Sequence, residues 1–104
     1  MPDTIELTVK VSDKDSGIKG YAFAYDADRN SPANAVIPVL MNLGKGKFPV
    51  HPGEPGRLIW GMRGDAGAGM KVEVFRGGQV IATRDKSTIP PGETRAIDFF
   101  DLTL

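Results

Sequence analysis

The sequence contains no cysteine. A disulfide framework, a zinc–thiolate centre, an iron–sulfur cluster and thiol catalysis are thereby excluded together, and the composition suits a reducing compartment. Histidine is nearly as scarce: His51, between Pro49 and Pro52, is the only one. A histidine-based metal centre would need more ligands, and a serine–histidine–carboxylate triad would have to assemble at a prolyl loop. His51 therefore reads as a loop residue. Net charge is missing too, because thirteen basic and thirteen acidic residues cancel. No overall field draws the chain to nucleic acid or to anionic lipid. Long apolar runs are absent. The longest, Ala35-Val36-Ile37-Pro38-Val39-Leu40-Met41, is broken by proline and falls far short of the ~20 residues that span a bilayer. Met1-Pro2-Asp3-Thr4 leads into a strand pattern without the basic and apolar regions of a signal peptide. These absences give the expectation of a cytoplasmic protein with no cofactor, no nucleic-acid partner and no membrane contact.

Room for helices is also lacking, since thirteen glycines and eight prolines punctuate the chain every few residues. What is present is alternation. Ile5, Leu7, Val9 and Val11 oppose Glu6, Thr8 and Lys10, the pattern of a half-buried strand. Tyr21, Phe23 and Tyr25 share one face of a second strand, with Ala22 and Ala24 on the other. Residues 36–43 are apolar on both faces, which suits a central strand or one crossing between sheets, while Pro38 favours an edge or a bulge. Leu58, Trp60 and Met62 mark a strand over residues 57–62. Residues 70–76 and 79–85 flank Gly77-Gly78, a two-residue loop suited to a type I′ turn. That turn pairs Arg76 with Gln79, Phe75 with Val80 and Val74 with Ile81. The last strand covers residues 95–104, where alternation slips at Phe99-Phe100 and implies a bulge or a change of sheet.

About seven short strands at this spacing predict an all-β fold, a small antiparallel β-sandwich forming one domain over residues 1–104. In architecture the pattern resembles an immunoglobulin-like sandwich, which often buries a tryptophan placed as Trp60 is. The resemblance carries no motif, and so implies no function.

Two aspartate-rich segments are the best candidates for chemistry. Asp13-Lys14-Asp15-Ser16-Gly17 and Asp26-Ala27-Asp28-Arg29-Asn30 each set carboxylates two residues apart, as a calcium site requires. Asp26, Asp28 and Asn30 match the first three ligand positions of an EF-hand loop. Ser31 then replaces its glycine, and Ile37 stands where the bidentate glutamate belongs. The strand between the segments, about 26 Å long at ~3.3 Å per residue, puts them at opposite ends of a sheet. Asp, Ser, Asn and Gly are also ordinary turn formers. Arg63-Gly64-Asp65 resembles the integrin-binding tripeptide of fibronectin-type modules and falls in a predicted loop over residues 63–69. Gly64, Gly67 and Gly69 enrich that loop in glycine, but Gly69-Met70-Lys71 leads to a strand and lacks the P-loop lysine–serine/threonine pair. No carboxylate pair selects itself as a glycosidase-like site.

The leading expectation is a non-catalytic interaction module that binds a protein partner or its own copies. Val72, Val74 and Ile81 make the core face of the Gly77-Gly78 hairpin. Phe75 and Val80 are thereby left on the side of Lys71 and Glu73, with Arg76 and Gln79 beside them, as a contact point at the tip. One alternative is calcium-dependent binding of a ligand or membrane through Asp13 and Asp15 or through Asp26, Asp28 and Asn30. A second is an enzyme with an unsignalled carboxylate site.

Overall fold

A computed structural model describes residues 4–26, 36–53 and 55–103. Among the described residues eight strands form: β1 (Ile5–Ser12), β2 (Ile18–Asp26), β3 (Val36–Met41), β4 (Lys45–Val50), β5 (Pro55–Gly64), β6 (Gly69–Arg76), β7 (Gln79–Thr88) and β8 (Arg95–Thr103). They make two antiparallel four-stranded sheets, in the orders β4-β1-β6-β7 and β3-β2-β5-β8. The expected small antiparallel β-sandwich is what the chain adopts. Only β2–β3 and β6–β7 are consecutive strands within one sheet.

The core lies between the sheets. Leu7, Val9, Phe48, Val72 and Val74 from the first sheet meet Phe23, Leu58 and Trp60 from the second, all essentially inaccessible. Fully burying each such side chain contributes roughly 1.5–3 kcal/mol. Trp60 stacks on Phe23 at 5.2 Å between ring centroids and tilts against Phe100 at 5.1 Å. Tyr25 meets Phe48 across the sheets at 4.7 Å.

Four details differ from the pattern in the sequence. The strand β4 is an addition: the sequence pattern assigns no strand to its residues, yet Phe48 and Val50 alternate into the core. It is an edge strand, where Pro49 can be accommodated. β3 is likewise an edge strand, and its ladder with β2 slips between Phe23 and Ala24. The proline signal therefore wins over a central position, and Leu43 lies beyond the strand, exposed. β8 has neither bulge nor change of sheet; its register with β5 is unbroken from Arg63↔Arg95 to Pro55↔Thr103. Leu102 faces in and Ile97 and Phe99 face out, so the apparent slip is a strand with apolar residues on both faces.

The hairpin is the fourth. Gly77 and Gly78 have φ of 57° and 84°, and Arg76↔Gln79 and Phe75↔Val80 pair as expected. The ladder then shifts, and Val74 faces Ala82 instead of Ile81. Ile81 is not a core residue: it is expelled to the surface at 38 % exposure.

Candidate functional site

The outer face of the β3-β2-β5-β8 sheet carries the larger apolar surface. Its register lines up Met41, Ala22, Gly61 and Ile97 in one row across four strands. The next row holds Pro38, Ala24, Ile59 and Phe99. On the central strands Ala22, Ala24 and Gly61 are small and Ile59 is the one large residue, while Met41, Ile97 and Phe99 stand on the edge strands, so the face is a trough with raised sides. Met41 is 68 % exposed, Ile97 79 % and Phe99 42 %. An open groove of about 380 Å³ runs between Ala22 and Gly61 on its floor and Met41 and Ile97 at its sides.

The two ends of this face carry opposite charge. At one end the row is Gly20, Arg63 and Arg95, with the Arg63 side chain lying over Gly20. Arg63 and Arg95 are directly opposed on neighbouring strands, an unfavourable like-charge pair, and neither has an ion-pair partner among the described residues. At the other end the row is Asp26, Arg57 and Asp101. Arg57 donates from Nε to Asp101 Oδ1 at 2.7 Å and sits 4.2 Å over the Phe99 ring. The hydrogen bond to Asp101 holds its guanidinium above the ordinary arginine pKa.

The hairpin tip lies on the outer face of the other sheet. Val80 is 48 % exposed and Phe75 half-buried, in a row with Thr8; Arg76 and Gln79 are exposed beside the turn. The tip is thus a second apolar spot, smaller than the trough and on the opposite side of the sandwich.

Asp13 and Asp15 precede β2 and Asp26 ends it, while Asp28 and Asn30 lie outside the described residues. The Asp15 carboxylate accepts the Gly69 N–H at 2.9 Å and pairs with Lys86 at 3.2 Å. These contacts, the Gly69 bond foremost, hold its pKa below the ordinary carboxylate value. Among the described residues no three histidine, cysteine or acidic side chains are grouped to hold a metal ion.

The glycine-rich connection is shorter than predicted, since β5 runs to Gly64. Arg63 is therefore a strand residue, and Asp65 lies in the turn that follows. The tripeptide does not sit together in one loop. The N–H groups of Asp65, Gly67 and Ala68 bond to Gly17, Ile89 and Asp65 carbonyls, and that of Gly69 to Asp15. None of these donors is turned to a phosphate. A Cβ on Gly64 would lie 2.0 Å from the Gly17 carbonyl oxygen, so this end of the sandwich closes too tightly for any side chain there. His51 follows β4 at a half-buried position.

One feature escapes sequence reading altogether. Trp60 Nε1 donates to Ser87 Oγ at 3.0 Å, and Ser87 Oγ donates to Asp98 Oδ2 at 2.9 Å. Arg84 Nε lies 3.2 Å from the same carboxylate oxygen, outside hydrogen-bond alignment, while its Nη2 donates to the Phe99 carbonyl. This chain of polar groups links β7 to β5 and β8 across the seam between the sheets. Ser87 is buried and bonded on both sides, which suits a structural pin.

No family model matches this sequence, and no curated protein or solved structure compared with it matches either.

Proposed function

We propose that the protein is a non-catalytic binding module that engages a protein partner, or a second copy of itself, through the outer face of the β3-β2-β5-β8 sheet. The observation that carries this reading is the apolar trough: Met41, Ile97 and Phe99 stand exposed around a floor of Ala22, Ala24 and Gly61. A contiguous apolar patch with a charged rim is the usual mark of an interaction site. The cytoplasmic setting belongs to the same proposal and rests on the cysteine-free composition. Kinship with immunoglobulin modules does not enter it. In their constant-type sandwich the first two strands share a sheet, whereas β1 and β2 here lie in different sheets. The hairpin tip, with Val80 and Ile81 both exposed, supports a smaller second contact.

The test is the variant Met41→Ser with Ile97→Ser. Both side chains are mostly in solvent, so the melting temperature should hold while association with a purified partner, or self-association, is lost. Undiminished association in the folded variant would overturn this location.

A further inference from the structure

The charges at one end of the trough select the chemistry of its partner. We propose that the groove takes an extended protein segment in which an acidic residue lies two positions from an apolar one. The carboxylate lies against Arg63 and Arg95, and the apolar side chain rests on the floor of Ala22 and Gly61. The inference rests on the trough being the binding surface.

Charge calls for the acid. Arg63 and Arg95 are exposed, directly opposed on β5 and β8, and both line the groove of about 380 Å³. The Arg63 side chain lies over Gly20 of β2, on the side of β5 away from Arg95, as one of two like charges without a counterion should. Arg57 and Arg84 each have a carboxylate oxygen within 3.2 Å. Arg63 and Arg95 have none at ion-pair distance among the described residues. Both also line an adjoining hollow of about 290 Å³, together with Lys19 and Asp65. Three cations against one carboxylate leave this end of the trough positive. A carboxylate set between the two guanidiniums accepts charge-assisted hydrogen bonds from them and offsets their repulsion.

Spacing and shape call for the rest. Gly61 lies two residues before Arg63 on β5, and Ile97 two after Arg95 on β8. The apolar row is therefore about 6.6 Å from the basic one, at ~3.3 Å per residue. Side chains two apart in an extended segment share a face and have the same separation, so an acid and an apolar residue in that relation match both rows. A Cβ at Gly61 would have its nearest contact beyond its chain neighbours at 3.9 Å, the Ala96 carbonyl oxygen, so the floor there is open. Met41 and Ile97 flank it. The next row brings Ile59, which ends the open floor. There is room for one apolar side chain, not for a long run. The groove is open along its length, whereas a small-molecule site buries most of its ligand. A peptide has a polar backbone to leave in water, and the tail of a free fatty acid does not.

Amide chemical-shift titration with the peptide acetyl-Gly-Glu-Ser-Leu-Gly-amide tests it. The wild-type protein should bind with a Kd of about 0.1–1 mM, the range of a small exposed contact. Replacing the peptide's glutamate by glutamine, or raising the salt from about 20 mM to about 0.5 M, should weaken binding at least fivefold. Arg63→Glu with Arg95→Glu exchanges one exposed like-charge pair for another, so it should keep the melting temperature while weakening binding at least tenfold. Arg95→Gln, which removes the repulsion, serves if that variant folds poorly, with an expected loss of about threefold. Equal binding of the glutamate and glutamine peptides overturns the acid requirement and leaves the trough standing. Equal shifts from octanoate at the same concentration overturn the peptide in favour of a free acid. No shift with any of these probes overturns the proposal; the trough itself is then judged by whether the Met41→Ser, Ile97→Ser variant loses another purified partner.

Discussion

Trp60 is held by packing and by a hydrogen bond at once, and the two contributions can be separated. Trp60→Ala removes the ring from the centre of the core and should cost about 3–5 kcal/mol in denaturant unfolding. Ser87→Ala leaves the buried indole N–H without its acceptor, for an expected loss of about 1–3 kcal/mol. In a Trp60→Phe background the same Ser87→Ala change should cost less, because no indole donor remains to be stranded. Equal costs in both backgrounds would show that the Trp60–Ser87 bond contributes nothing. The burial of Trp60 is legible in its alternating neighbours Leu58 and Met62; its bond to Ser87 is not, because that partner comes from the other sheet. Asp15 offers a pH test. Its folded-state pKa is lowered by the Gly69 N–H and by Lys86, so the ionised group stabilises the fold above the unfolded carboxylate pKa of about 4. That contribution is lost as pH falls through the lower folded value. Asp15→Asn should therefore show a shallower fall in melting temperature between about pH 5 and pH 2 than the wild type. Parallel curves would contradict the assignment.

At the scale of elements, alternation and turn chemistry make seven strands and the Gly77-Gly78 turn legible. Two things escape because they depend on neighbours in space. β4 has the composition of a turn and becomes a strand only by pairing with β1 and burying Phe48. The bulge in β7 sets Val74 against Ala82, and nothing local to Ile81 announces that it will be left outside. The hairpin tip can be tested at this scale. Phe75→Ser with Val80→Ser should lower stability by about 1 kcal/mol, as for half-exposed positions away from the core, and leave peptide binding at the trough unchanged. A loss of that binding in the folded variant would move the interface to the opposite side of the molecule.

For the whole molecule, sheet order decides what the surface presents. Each component of the trough is visible in the sequence: Ala22 and Ala24 alternate with aromatic residues, and Ile97 and Phe99 alternate with Phe100 and Leu102. Their alignment is not visible, because it needs β2 beside β5 and β8 beside β5, strands distant in the chain. The hairpin was the only surface that local pairing could assemble, which is why sequence reading settles on Phe75 and Val80. The most direct test of the trough is the amide chemical-shift map of the wild-type protein titrated with the acidic peptide. Shifts that move with peptide should cluster at Gly20, Ala22, Gly61, Arg63, Ala96 and Ile97, with the hairpin residues Phe75 to Ile81 unmoved. Shifts confined to the hairpin, or none at any residue, would contradict peptide binding through this face.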